Sequence, residues 1–195
     1  IVDFDRMPDG EVRVLDGGLM RKREKLWKAA GVVLPVFALR SEKSCGVGDF
    51  GDLRLFVDWA AANDMRVIQL LPVNDTTMQH NWNDSYPYNT ISVNALHPHY
   101  VNLDEAGRLA NEGSMLDYNR RRSELNNLPY TDYEAVGKVK TGYMRELYAD
   151  IEDKLRGDEE FIKFKKDNGD WLLPYATFCI LRDKYHTARF TDWKE

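Results

Sequence analysis

Two short apolar runs separated by an amphipathic stretch constrain this chain more than any other feature. Residues 32–38 read Val-Val-Leu-Pro-Val-Phe-Ala, and residues 67–73 read Val-Ile-Gln-Leu-Leu-Pro-Val. Both are near-continuous rather than alternating, the pattern of a strand buried on both faces of a parallel sheet. Pro35 weakens the first, because a proline cannot donate to a ladder. Between the runs Asp49 stands where a helix N-cap belongs. Leu53, Phe56, Val57 and Ala60 then fall at i, i+3, i+4 and i+7, which predicts a helix ending near Asn63. Strand, helix and strand of these lengths make a βαβ unit.

The flanks read differently. Residues 1–28 form a polar lead-in broken by Asp9-Gly10 and Asp16-Gly17-Gly18, with a short hairpin through residues 12–15 and a basic helix over residues 20–30. Residues 74–100 are rich in Asn, Asp, Ser, Tyr, Trp and His and show little periodicity. A connection this long in a compact domain is usually functional or wrongly assigned. Beyond residue 104 the pattern is helical, with segments at 105–111, 119–125, 132–156, 158–167 and 170–186. Gly169 ends one helix, and Pro174 sits in the first turn of the next, where it is tolerated. One βαβ unit is an incomplete sheet, and a full α/β barrel needs eight strands and about 250 residues. The simplest architecture is the N-terminal portion of a (β/α)8 TIM barrel. Residues 29–103 start the barrel, residues 104–195 form a mainly helical insertion, and the barrel continues beyond Glu195.

Composition removes several function classes. A net charge of −5 gives no basic footprint for nucleic acid or for an anionic membrane surface. No apolar run approaches the ~18 residues of a membrane span. Cys45 and Cys179, the only two cysteines, lack metal spacing and read as reduced thiols of a cytoplasmic protein. The run from Gly46 to Gly51 has the spacing of a dinucleotide loop, but Asp49 at the helix start would repel a pyrophosphate. Its glycines read as a tight turn into the helix, and no cofactor is expected. His97 and His99 flank Pro98 without a third ligand nearby, so they read as a packed loop rather than a metal pair. Trp171, Tyr175 and Phe178 share one helical face and read as core. Trp59 reads as core or subdomain contact, and Lys163, Lys165 and Lys166 as a solvated face.

The candidate binding residues lie in the long polar loop, which leaves the end of the second strand where barrel sites sit. They are Asn74, Asp75, Trp82, Ser85, Tyr86, Tyr88 and Asn89. Aromatic rings stack on the apolar face of a pyranose, and interleaved amides, hydroxyls and carboxylates read its hydroxyls. An ordinary loop pinned by its tyrosines and tryptophan is the slightly simpler reading of composition alone.

Several segments in order resemble glycoside hydrolase family 77, the amylomaltase-type 4-α-glucanotransferases. They are Gly31 to Arg40 with Gly46-Val47-Gly48-Asp49-Phe50-Gly51-Asp52-Leu53, then Gln69-Leu70-Leu71-Pro72-Val73-Asn74-Asp75. Asp84-Ser85-Tyr86-Pro87-Tyr88-Asn89 follows, with Ser92 and His97-Pro98. Tyr130-Thr131-Asp132-Tyr133-Glu134-Ala135-Val136 comes next, with Thr131 where the family has valine. Trp171-Leu172-Leu173-Pro174-Tyr175-Ala176-Thr177-Phe178 completes the set. The resemblance covers residues 30–193. Arg40-Ser41-Glu42 and the Tyr-Pro-Tyr form resemble the longer branch, that of the plant cytosolic form and its bacterial relatives, which carries starch-binding modules ahead of the barrel.

The resemblance implies retaining transfer of α-1,4-glucan segments between maltooligosaccharides or glucans. It also implies an aspartate nucleophile, a glutamate acid/base and a third carboxylate. All three lie later in the family pattern than Glu195, so no catalytic carboxylate is expected in this chain. Asp49, Asp52, Asp75 and Asp84 match no catalytic motif. Tyr88 matches a tyrosine lining the family's glucan cleft. Tyr86 stands where the short branch has serine, so that serine's contacts do not carry over. Two other readings of the sequence stay open: a non-catalytic α-glucan-binding module, and a different α-glucan-active barrel.

Overall fold

The computed structural model describes residues 28–194 and the backbone of two earlier segments, β1 (Val12–Leu15) and β2 (Gly18–Arg21). These two pair antiparallel, with Val12 opposite Arg21 and Leu15 opposite Gly18. The hairpin expected through residues 12–15 is therefore present. The helix expected over residues 20–30 is not: Met20 and Arg21 belong to β2, residues 28–30 are not helical, and residues 22–27 lie outside the described residues. The pairing is the reason: Met20 and Arg21 stand opposite Arg13 and Val12 and are held extended as a strand.

The βαβ unit forms as read. β3 (Gly31–Leu34) and β4 (Val67–Leu70) run parallel, with Gly31 opposite Val67 and Leu34 opposite Leu70. Both strands are shorter than the apolar runs. Pro35 has no N–H for the ladder, and the chain turns there into a 3-10 helix, Val36–Ala38. Burial on both faces does not hold among the described residues. Residues along each strand alternate between exposed and half-buried, and Val33 is 63% exposed. An apolar strand with one uncovered face needs further structure over it.

The helix α1 (Phe50–Ala62) starts on a capping box. The Asp49 carboxylate accepts from the N–H groups of Gly51 and Asp52, and the Asp52 carboxylate accepts from the N–H of Asp49 at 3.0 Å. Asp52 also accepts from the hydroxyls of Ser41 and Ser44, which fixes the glycine-rich loop before the helix. Trp59, expected as core or contact, is half exposed and leans on Phe56 at 5.3 Å between ring centroids.

The rest is helical: α2 (Leu103–Ala106), α3 (Glu112–Asn126), α4 (Tyr133–Gly157), α5 (Glu159–Asp167) and α6 (Gly169–Tyr185). Asn102, Asn111, Asp132 and Asp158 each cap the helix that follows with a side-chain oxygen. α2 is shorter than read because Gly107, at φ 139°, ends it. α3 begins seven residues earlier than read, at its Asn111 cap.

The core joins the two halves of the sequence. Cys45 and Val47 of the glycine-rich loop pack with Leu103, Tyr118, Val136 and Tyr143. Arg40 reinforces this by donating to the carbonyls of Asn126 and Leu128 at the end of α3. Both cysteines are unpaired. The described residues thus make a mixed helix-and-strand fragment built on a two-stranded parallel sheet, and none of their helices is long and apolar enough to cross a membrane.

Candidate functional site

The long polar connection is closed at its neck. Asn74 and Leu96 form an antiparallel bridge, flanked by hydrogen bonds from Asp75 N–H to Ala95 C=O and from His97 N–H to Val73 C=O, both 2.9 Å. The excursion between them is therefore a compact loop rooted at the end of β4. Its first arm folds around Asp84. One carboxylate oxygen of Asp84 accepts from the N–H groups of Gln79 and His80, and its backbone carbonyl accepts from the Thr76 hydroxyl. A 3-10 turn, Trp82–Ser85, capped by Asn81, leads to the tyrosine segment.

The candidate residues fall into three placements. Tyr86 and Tyr88 stand out of the loop, 61% and 60% exposed, with ring centroids 5.5 Å apart and planes 51° apart. Asn89 is beside them, its N–H bonded to the Tyr86 carbonyl. Asn74, Trp82 and Ser85 line a cavity of about 240 Å³ whose far wall includes His97 and Tyr133. Asp75 is expected from sequence to face the cleft and instead points inward. It is 1% exposed, with one oxygen accepting from the N–H and hydroxyl of Thr77 and the other from the hydroxyl of Tyr175 at 2.6 Å. A carboxylate at a loop neck is drawn inward when donors there can satisfy it.

The four aspartates that match no catalytic motif are all structural. Asp49 and Asp52 make the α1 capping box, Asp75 holds the loop neck, and Asp84 holds its arm. All four are buried.

The wall of the cavity is not foreseeable from sequence. His97 Nε2 lies 2.7 Å from the Tyr133 hydroxyl, and the His99 and Tyr133 rings are 4.3 Å apart. The His99 N–H donates to Nδ1 of His97, while Nδ1 of His99 has no partner among the described residues. Among the described residues no group of three His, Cys, Asp or Glu side chains could hold a metal. The signal available in sequence is the aromatic and histidine content of residues 97–100 and 130–133. It does not say that segments so far apart meet.

Burial pushes His97 and His99 below the usual histidine range, His99 to about 2, with the neighbouring imidazole and Lys140 adding to the effect on His99. Burial likewise raises Tyr100 to about 12 and pushes Tyr133 up. Both histidines are therefore neutral in the fold, whereas the unfolded chain takes up protons near 6.5. Stability is fully present above that value and is lost as pH falls toward the folded pKa, by about 1.4 kcal/mol per pH unit for His99, with His97 adding in the same direction. The urea midpoint is expected to fall steadily from pH 6.5 to pH 4.5, and His99→Gln should flatten that slope by about one proton. Equal slopes for the two proteins would remove His99 from this account.

Known proteins are similar to this chain over most of its length. The family model described as 4-alpha-glucanotransferase, glycoside hydrolase family 77, matches residues 34–195. The 4-alpha-glucanotransferase DPE2 of Oryza sativa subsp. japonica is 39% identical over 186 residues, covering 95% of this chain and 19% of that protein. The 4-alpha-glucanotransferase of Chlamydia pneumoniae is 32% identical over 84% of this chain and 30% of its own length. That of Synechocystis is 30% identical, with coverages of 85% and 32%. The chain thus spans about a fifth to a third of the length of these relatives. With the motifs in order and the match running through both the βαβ unit and the helical block, the chain belongs to glycoside hydrolase family 77, the 4-alpha-glucanotransferases.

Proposed function

We propose that this chain is the glucan-gripping front part of a cytoplasmic enzyme that transfers α-1,4-glucan segments between maltooligosaccharides or glucans. The transfer is a retaining double displacement. It needs two carboxyl groups about 5–5.5 Å apart across the scissile bond. The family resemblance puts these outside residues 1–195, and the local bonding of Asp49, Asp52, Asp75 and Asp84 in caps and turns agrees with that.

Residues 29–103 begin a (β/α)8 barrel and residues 104–195 form its helical insertion. Residues 1–28 lead in from an upstream starch-binding module. The uncovered apolar face of β3 and β4, with Val33 and Val67 exposed, supports the barrel, because closing it would bury that face. Tyr88, Tyr86, Ser85, Asn89, Asn74 and Trp82 contact the glucan, and Asp75 serves the same site from beneath as the anchor of its loop.

One observation carries this reading. An exposed, mutually tilted tyrosine pair sits on a tethered loop at the exit end of a parallel strand. Exposed aromatic rings suit the apolar face of a pyranose, and a tethered loop presents them with little ordering cost on binding. In the full-length protein Tyr88→Ala is expected to lower kcat/KM on maltotriose about tenfold, the loss of roughly 1.4 kcal/mol of ring contact. Tyr88→Phe should keep most of the activity. Unchanged kinetics for Tyr88→Ala would take the loop out of the site.

A further inference from the structure

The helix α6 has no assigned role in binding, yet it holds the first arm of the sugar-binding loop at three successive points. The Tyr175 hydroxyl donates to Asp75 Oδ2 at 2.6 Å. Arg182 Nη1 donates to the Thr77 carbonyl at 2.6 Å. Asp183 lies 2.8 Å from His80 Nε2 and accepts from Arg182 Nε at 2.8 Å. Tyr175 and Arg182 are seven residues apart and so share one face of the helix. Asp75 and Arg182 are both buried. We propose that Tyr175 and Arg182 are positioning residues that act through the loop arm to aim the Tyr86–Tyr88 pair at the glucan.

The geometry of the loop explains why it needs an external hold. The neck is fixed by the Asn74–Leu96 bridge and the arm folds on Asp84, but neither sets the direction of the arm relative to the barrel end. The α6 contacts at residues 75, 77 and 80 do, shortly before the turn at Trp82–Ser85 that leads to the tyrosines. Bonds to buried groups are directional, and a loop held at three points keeps its side chains where the ligand meets them. Releasing the arm leaves every glucan-contacting side chain present but spreads its positions. Such a loss weakens substrate and transition state alike, so it raises KM and spares kcat.

This inference rests on the proposed glucan-binding role of the loop, and the experiment separates the two. In the full-length enzyme, Tyr175→Phe keeps the ring and removes the one donor. KM for maltotriose is expected to rise about fivefold with kcat changed by less than about twofold. Amide exchange over residues 76–90 should quicken while exchange in α4 is unchanged. Arg182→Lys, which loses the planar fork, should shift KM in the same direction and covers the case in which Tyr175→Phe folds poorly. Tyr175→Phe combined with Tyr88→Ala should raise KM by clearly less than the product of the two single effects, because the arm then has one of its rings missing and less to aim. An unchanged KM in both single variants, additive effects in the double variant, or equal quickening of exchange in α4 would each overturn the proposal. If Tyr88→Ala itself leaves the kinetics unchanged, the glucan-binding reading of the loop is what has failed.

Discussion

Replacing Lys140 with methionine is expected to cost this protein about 3–5 kcal/mol, the range for breaking a buried charged contact by removing one partner. Lys140 is 2% exposed, on the inner face of α4. Its ammonium donates to the carbonyls of His99 and Val101 at 2.6 and 2.8 Å and lies 3.5 Å from Asp49 Oδ2. It therefore ties the first third of a 25-residue helix to the exit of the long loop and to the cap of α1. Burial pushes its pKa down and Asp49 pushes back. Methionine keeps an unbranched side chain one atom shorter but offers no donor. Two buried carbonyls lose their partners, and the Asp49 carboxylate loses its cation while keeping the N–H groups of Gly51 and Asp52. The thermal midpoint should fall by about 10 °C, at roughly 2–4 °C per kcal/mol for a chain of this size. Lys140→Met with Asp49→Asn should recover part of the loss, since no unpaired charge then remains buried. A single variant within about 1 kcal/mol of the parent would show that the buried ammonium is not the tie described.

What the sequence discloses follows from how local each signal is. The βαβ unit is readable because its periodicity, its Asp49 cap and its Asn63 end lie within one stretch of chain. α4, α5 and α6 can be placed nearly to the residue, because Asp132 and Asp158 cap the first two; the break before the third falls at Asn168 rather than Gly169, which is already the first residue of α6, so Pro174 lies inside that helix rather than in its first turn. Pro35 carries the information that β3 stops at Leu34, but the apolar residues after it mask that signal. The inward turn of Asp75 cannot be read, since its partner Tyr175 is 100 residues away. Lys140 looks in sequence like any helix-surface lysine, and Arg182 like any helix-end arginine. Only the fold reveals that the carbonyls of His99, Val101 and Thr77 await them. The site is legible in the same proportion. The tyrosine pair is local and stands out in the sequence. The histidine and tyrosine wall of the cavity, assembled from two distant segments, does not.

Gly48→Ala is expected to destabilise the protein by more than about 3 kcal/mol, to the point of poor soluble yield. The glycine-rich loop reads as a turn needing backbone freedom, and Gly46, at φ 74°, does need it. Gly48 is required for a different reason. A Cβ there would sit 2.2 Å from the carbonyl oxygen of Val36 and 2.5 Å from that of Leu39. Both are backbone atoms of the tight turn that follows β3, so no rotamer change relieves the overlap. The loop would have to lift off the turn, breaking the bond from the Gly48 N–H to the Phe37 carbonyl and dragging Asp49 from its place as the α1 cap. Lys140 and the loop exit depend on that same aspartate, so the damage spreads. Gly142 provides the opposite case in the same chain. It lies within α4, exposed, and a Cβ there meets nothing within 4 Å. Gly142→Ala should therefore stabilise by about 0.5–1 kcal/mol through helix propensity alone. The two one-methyl additions are expected to move the urea midpoint in opposite directions. A neutral Gly48→Ala would mean that the loop does not press on the turn, and the packing that begins α1 would need another explanation.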